Sequence, residues 1–354
     1  MESRVGVHGV GLYLPPILRT NEHWPPATVE RWVAERRDQP PPPPPRTEAE
    51  KLVYEALRVQ AQDPFQNAVV RHVIPDDMSH VDMEEQAALA ALAHANIDRD
   101  QIDLVLTHRV VPEFLLGNPA CELHERLKLR PECFAMHMDA ASYSFIMQMC
   151  IAETMIRTGR ASHALLVQSS APSRTFDYED AGSPIIGDGA TAVVMAPSTG
   201  DRGIVATVHY VDGRFPKTLI ASVPGKRWFD EGKGLIHVAD VPQMKQVFMR
   251  TVDACKDSVE AVLAKAGWSP DQVDYLSMFQ GTPWLRDLVK VSLNCTRARC
   301  VETFSRTGYL ASALIPASLA MAVQEGVLHD GDAVVLTGGG TGMTFGAIAL
   351  RWGA

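Results

Sequence analysis

No CxxC pair and no HExxH segment occurs in this chain of 354 residues, and those absences remove the common zinc and redox frameworks. The six cysteines, Cys121, Cys133, Cys150, Cys255, Cys295 and Cys300, are scattered as expected of reduced thiols that serve as small buried hydrophobes. The 12 histidines are not spaced as paired ligands, so spacing gives no metal site. Basic residues are also short: 33 Lys and Arg against 42 Asp and Glu leave a net charge of -9. Nucleic-acid binding depends on clustered cations that displace counterions, so no nucleic-acid partner is expected. No apolar run reaches the roughly 18 residues that span a bilayer, so no membrane partner is expected either. The opening Met1 to His8 lacks the charged-then-apolar pattern of a secretory signal, and the expected location is cytoplasmic.

What is present is the balance of a globular protein, 46% hydrophobic and 21% charged, long enough for two domains or for one fold of two similar halves. The second option has direct support. Ala91 to Val105, ALAHANIDRDQIDLV, recurs as Val262 to Leu276, VLAKAGWSPDQVDYL, with the Asp-Gln-x-Asp core kept. Each copy reads as a helix end, a polar turn and an apolar strand starting at Ile102 or Val273. Further on, a helix ending near Gly159 feeds His163-Ala-Leu-Leu-Val-Gln, and one ending near Gly326 feeds Asp332-Ala-Val-Val-Leu-Thr. Shared helix-to-strand order predicts an α/β protein built from two duplicated halves, 1-199 and 200-354. Within the first, a Pro-rich insertion covers about 38-70, where the run Pro40 to Pro45 reads as an exposed polyproline II spacer or as a ligand for a proline-binding partner.

Two segments could carry chemistry. Ser142, in His137-Met-Asp-Ala-Ala-Ser-Tyr-Ser-Phe, precedes a helix-like stretch from Ile146 to Thr158. It could be a nucleophile beside the free N–H groups of a helix start, or an ordinary N-cap. The glycine run Thr337-Gly-Gly-Gly-Thr-Gly-Met-Thr-Phe-Gly lacks the Lys-Ser/Thr of a phosphate loop and the following helix of a dinucleotide fingerprint. A tight strand-to-strand turn is the reading left, either a bare hairpin or one whose backbone approaches something closely.

Taken in order, DAASYSF, GSPIIGDGATAVV from Gly182 to Val194, the Val211-Asp-Gly segment and the terminal GGGTGMTFG resemble the ketoacyl-ACP synthase III branch of the thiolase superfamily over nearly the whole chain. The resemblance implies a duplicated five-layer αβαβα thiolase-like fold. It also implies acyl transfer or condensation on acyl-CoA or acyl carrier protein thioesters, with coenzyme A or a phosphopantetheine thioester as substrate and no permanently bound cofactor. The family's Cys, His and Asn positions fall on Ser142, Gln280 and Tyr309. A variant branch of secondary-metabolite acyltransferases is similar in lacking the first histidine, and some of its members use serine. Its Gly-His and later Asp, however, correspond here to Tyr309 and Leu314.

The same resemblance assigns the oxyanion donors to the backbone N–H groups of Ser142 and Gly342, which need no particular side chain. Trp32 and Arg36 resemble the residues that grip the adenine nucleotide of coenzyme A by stacking and a phosphate contact, though their helix also reads as an ordinary amphipathic one. A serine hydroxyl needs a base, and His137 and His209 are the nearest candidates in sequence. The expected functions are an acyltransferase or condensing enzyme acting through Ser142, in polyketide or other secondary-metabolite biosynthesis, or a catalytically silent subunit supporting an active relative. The expected assembly is a homodimer, or a heterodimer with a related ketosynthase.

Overall fold

The duplicated segment folds twice in the same way. In the computed structural model, which describes residues 4-37 and 41-354, each copy ends its helix on a left-handed residue, Asn96 or Gly267. A capped 3-10 turn follows, Arg99–Gln101 or Pro270–Gln272, in which a glutamine side chain accepts the N–H of Asp98 or Ser269. The Asp after the turn then fixes the neighbouring strand. Asp103 accepts the N–H groups of Ser162 and His163, and Asp274 that of Ala333. The strands begin at Leu104 and Tyr275, two residues later than the apolar pattern suggests. Ile102 and Val273 instead close the 3-10 turns by donating to Arg99 and Pro270.

In chain order the first half contains β1 (Val5–Tyr13), β2 (Ile17–Thr20), α1 (Pro26–Arg37), α2 (Glu48–Gln60), β3 (Val70–Val73), α3 (His80–Ala95), β4 (Leu104–Val110), α4 (Pro119–Arg126), β5 (Phe134–His137), α5 (Ser144–Arg157), β6 (Ala164–Ser170) and β7 (Gly189–Pro197). The second contains β8 (Gly203–Val211), β9 (Leu219–Ser222), β10 (Leu235–Val238), α6 (Val241–Ala266), β11 (Tyr275–Met278), α7 (Leu285–Ser292), α8 (Phe304–Thr307), α9 (Leu314–Gln324), β12 (Ala333–Gly340) and β13 (Thr344–Arg351). One sheet runs β1-β7-β6-β4-β5 and the other β11-β12-β13-β8. In both, a parallel pair (β4 with β6, β11 with β12) continues into two antiparallel neighbours. The counterpart of β5 is reduced in the second half to a single bridge between Tyr275 and Arg299.

Strand alternation distributes the core among five layers. Leu104, Leu106, Val334 and Leu336 point between the sheets, where α5 and α9 lie with Phe145, Met149, Ile315 and Leu319. Val105 faces outward against Met83, Ala87 and Ala91 of α3, and Val335 against Val252, Val259 and Val262 of α6. This is the αβαβα order of the thiolase-like fold. Because both faces of each sheet are covered, β6 is buried along its whole length and reads as continuous rather than alternating.

The insertion is more ordered than its prolines suggest. Pro40 lies outside the described residues, and Pro41 to Pro45 form neither helix nor strand. Beyond them Thr47 caps α2 by accepting the Glu50 N–H, while Glu50 accepts the N–H of Arg46. Ala49 and Val53 then pack onto the α6 layer. The capping sequence Thr47-Glu-Ala-Glu was an available sequence signal for α2 that the reading of this stretch as a Pro-rich insertion passed over.

Replacing Asp103 by alanine removes the acceptor for two strand-entry amides and is expected to lower unfolding stability by about 1–3 kcal/mol in urea denaturation. Asp274→Ala, which orphans one such amide, is expected to cost less. Equal losses in both variants would contradict this account of the duplicated Asp.

Candidate active site

Two turns meet where the halves join. Ala141–Tyr143 precedes α5 and Ala311–Ala313 precedes α9 as 3-10 turns, and they pack against each other between the sheets. Both open on an alanine in the left-handed region, φ 50 at Ala141 and φ 49 at Ala311. A non-glycine residue holds such a conformation only where its surroundings enforce it. At Ala141 the Asp139 carboxylate accepts the strained residue's N–H at 2.7 Å. Ser144 Oγ completes the turn, donating to the Ala141 carbonyl and accepting the Ala140 N–H.

This leaves Ser142 free of a capping role. The residue is 8% exposed, and its hydroxyl hydrogen-bonds the Tyr309 hydroxyl at 2.9 Å. Withdrawal from water pushes the Tyr309 phenol up from its ordinary value, and the Ser142 hydrogen bond offsets part of that rise. A phenol raised in this way stays protonated at neutral pH, able to donate or accept this hydrogen bond but not to serve as a base. The Phe279 ring meets Tyr309 edge to face at 5.7 Å.

The backbone of Tyr309 is held by the GSPIIGDGA segment. Tyr309 donates to the Ile185 carbonyl at 2.7 Å and accepts from the Gly187 N–H at 3.2 Å. A Cβ at Gly187 would sit 1.9 Å from the Thr307 carbonyl oxygen, so only glycine permits this approach.

Of the expected site residues, the structure therefore brings Ser142 and Tyr309 together. Gln280 is engaged elsewhere: its amide donates to Val301 O at 2.8 Å and accepts the Thr303 N–H at 3.1 Å. The glycine run forms the expected hairpin between β12 and β13, with Gly340 opposite Thr344. Gly342 lies at its tip with open space where a Cβ would stand. It is Gly340 that abuts the Ser142 turn, where a Cβ would lie 2.8 Å from Ala140 O and 3.0 Å from Tyr143 N.

Trp32 is fully buried and donates its indole N–H to Glu179 O. Arg36 donates to the carbonyls of Asp63, Pro64 and Ala181. Both thus brace α1 against neighbouring loops. His209 bonds the Tyr143 hydroxyl at 2.7 Å and Cys150 Sγ at 3.4 Å. His137 bonds Thr107 and stacks on His108. Neither bonds Ser142.

Sequence reasoning missed three groups in the same place. His108, on β4, shares a hydrogen bond with Ser312 Oγ at its Nδ1 at 2.8 Å and faces Asp139 from Nε2 at 3.3 Å. The Ala-Ser pair shared by the two turns was the available signal for Ser312. Nothing local marks His108, which reads as one more residue of a buried strand. Among the described residues, no group of three His, Cys, Asp or Glu side chains is placed to hold a metal ion, and no helix is long and apolar enough to cross a membrane.

Residues 136-213 match the family model of 3-oxoacyl-[acyl-carrier-protein (ACP)] synthase III, and residues 263-352 that of the 3-oxoacyl-[acyl-carrier-protein (ACP)] synthase III C terminal. The β-ketoacyl-[acyl-carrier-protein] synthase III of Geobacillus kaustophilus is 33% identical over 284 residues, covering 80% of this chain and 86% of that protein. The chain belongs to the ketoacyl-ACP synthase III family. The Rhodospirillum centenum member is 28% identical over 361 residues, spanning 99% of this chain and all of its own. The crystal structure of the Pseudomonas aeruginosa PAO1 member, FabH, superposes with a TM-score of 0.78 at 26% identity over 99% of each chain. Within the first matched segment of this family member lie Asp139, Ser142 and the Gly187 loop, and within the second lie Gln280, Tyr309, Ser312 and Gly340.

Burial, and then the charge of neighbouring His108, hold the His137 imidazole down at about 4. Its folded value lies below the unfolded value near 6.5. It therefore leaves stability untouched above that pH and lowers it progressively as pH falls from about 6.5 to about 4. Proton NMR of the imidazole should show a midpoint near 4 for His137, and a midpoint between 6 and 7 would contradict the packing described.

Proposed function

We propose that this protein accepts an acyl group from a coenzyme A or acyl carrier protein thioester and passes it to an acceptor in a polyketide or related secondary-metabolite assembly. Ser142 is the acyl-accepting residue of this reading. The observation that carries it is the placement of the Ser142 hydroxyl on a strained turn at the start of α5, abutting the Gly340 backbone between the two sheets. Backbone N–H groups from the Ser142 turn and the Gly340 hairpin can stabilise a developing oxyanion whatever side chains surround them. Gly340 suits this better than Gly342, because Gly340 abuts the Ser142 turn whereas Gly342 lies at the open tip of the hairpin. The carrier arm is a substrate in this reading, and the reaction takes place in the cytoplasm. The exposed edge of β5, with Phe134 on the surface, suits pairing with a second copy or a related ketosynthase.

Two observations favour a second reading, a catalytically silent subunit supporting an active relative. The Ser142 partner is a phenol rather than an imidazole, and Gln280 is turned into structure. Loss of a positioned base costs roughly 10²- to 10⁴-fold in rate.

Incubation with a panel of acyl-CoA thioesters of increasing length, followed by intact-mass and peptide analysis, is expected to show an acyl increment on the Ser142 peptide that Ser142→Ala abolishes. Accumulation should be slow, over minutes to hours, for want of a base on Ser142. Absence of any increment in the folded wild type, together with formation of an active complex with a Cys-bearing relative, would establish the silent-subunit reading instead.

A further inference from the structure

The duplication gives Ser142 a counterpart. Ala311 and Ser312 repeat Ala141 and Ser142 in conformation, in 3-10 geometry and in leading a helix into the space between the sheets. The two serines differ in what they touch. Ser142 meets the Tyr309 phenol, whereas Ser312 meets an imidazole, His108 Nδ1, at 2.8 Å. On the other side of that ring Asp139 Oδ1 stands 3.3 Å from Nε2.

The carboxylate sets the direction of the chain. The His108 N–H, and then the Ala141 N–H, hold Asp139 down at about 2, so it is an anion at neutral pH. An anion facing Nε2 fixes the proton there and leaves Nδ1 as the acceptor of the Ser312 O–H. Ser312 and His108 are buried and Asp139 is exposed, so the chain of hydrogen bonds runs from the interior to the surface. Such an order, hydroxyl to imidazole to carboxylate, makes a serine a nucleophile on unrelated folds. It is recognised by geometry and not by position in the chain.

We propose that Ser312 is an activated nucleophile, with His108 as its general base and Asp139 orienting that base, and that it forms a second acyl-accepting serine beside Ser142. Ser312 Oγ attacks the carbonyl carbon of an acyl thioester while its proton passes to His108 Nδ1. The C–S bond breaks, the imidazolium returns the proton to the departing thiolate, and an ester on Ser312 and a free thiol result. The seclusion of Ser312 from bulk water protects that ester from hydrolysis until an acceptor arrives. The proposal rests on the thioester reading for the identity of its donor alone.

Two probes separate the parts. The full chain is treated with a small fluorophosphonate, which reports an activated serine without any thioester, and separately with acetyl-CoA and octanoyl-CoA. Tryptic mapping follows, since Arg157 and Arg306 lie between the two serines and place them on different peptides. The expected result is a phosphonyl adduct and an acyl ester on Ser312. Ser312→Ala should abolish both, and His108→Gln should slow them by roughly 100-fold or more. Asp139→Asn removes the charge that faces His108 while its amide oxygen can still accept the Ala141 N–H, and should slow them at least about tenfold; it decides the matter if the His108 variant fails to fold.

A folded wild type without adduct on Ser312, or with rates unchanged by Asp139→Asn, overturns the proposal and reduces the three groups to an internal clasp. Acyl label on Ser142 and none on Ser312 overturns second-site acylation while leaving the proposed function standing. Phosphonate on Ser312 with no acyl group on either serine supports the activated nucleophile and removes the thioester donor.

Discussion

Two helices begin in the middle of this protein, and the rest of its site follows from that. The starts of α5 and α9 lie against each other between two sheets, where unpaired backbone N–H groups cannot be left to water. Polar side chains must therefore be imported into the most apolar layer of the molecule. Ser144 and Asp139 complete one turn, and His108 and Ser312 tie the other to it. Deeper along α9, Ser277 and Tyr275 donate to the carbonyls of Ile315 and Ser318. The site is thus a packing problem solved with groups that also have chemistry.

The glycine motifs do mechanical work around this junction. Gly187 lets the loop before β7 approach the Thr307 carbonyl and clamp the backbone of Tyr309, while Gly340 lets the β12–β13 hairpin touch the Ser142 turn. Both contacts bring one half of the duplication onto the other. A motif that looks like a ligand-binding loop in one dimension is here a contact between two copies of the same unit.

At Gln280, where the chain departs from the family pattern, and at Trp32 and Arg36, where it resembles it, the side chains are integrated into the packing. Gln280 bridges Val301 and Thr303, and Trp32 and Arg36 brace α1 on backbone carbonyls. These are buried or partly buried polar groups whose hydrogen bonds to the chain stabilise the scaffold. Chemistry in this member has consequently to be sought among the groups at the turn junction, where serine hydroxyls, a phenol and an imidazole meet.

The sequence alone determined the duplication, the α/β class, the hairpin nature of the glycine run and the family, because these rest on local signals: capping glutamines, left-handed Asn96 and Gly267, apolar strand runs and ordered motifs. The partners of Ser142, Gln280, Trp32 and Arg36, the exchange of Gly342 for Gly340 at the turn, and the meeting of His108 with Ser312 and Asp139 were decided only by the tertiary structure. Ser142 and Tyr309 are 167 positions apart, and His108 and Ser312 are 204 apart. No local periodicity encodes which residues two packed halves press together. That choice is made by the helix layer between the sheets and by the few glycines that let the backbones close on it.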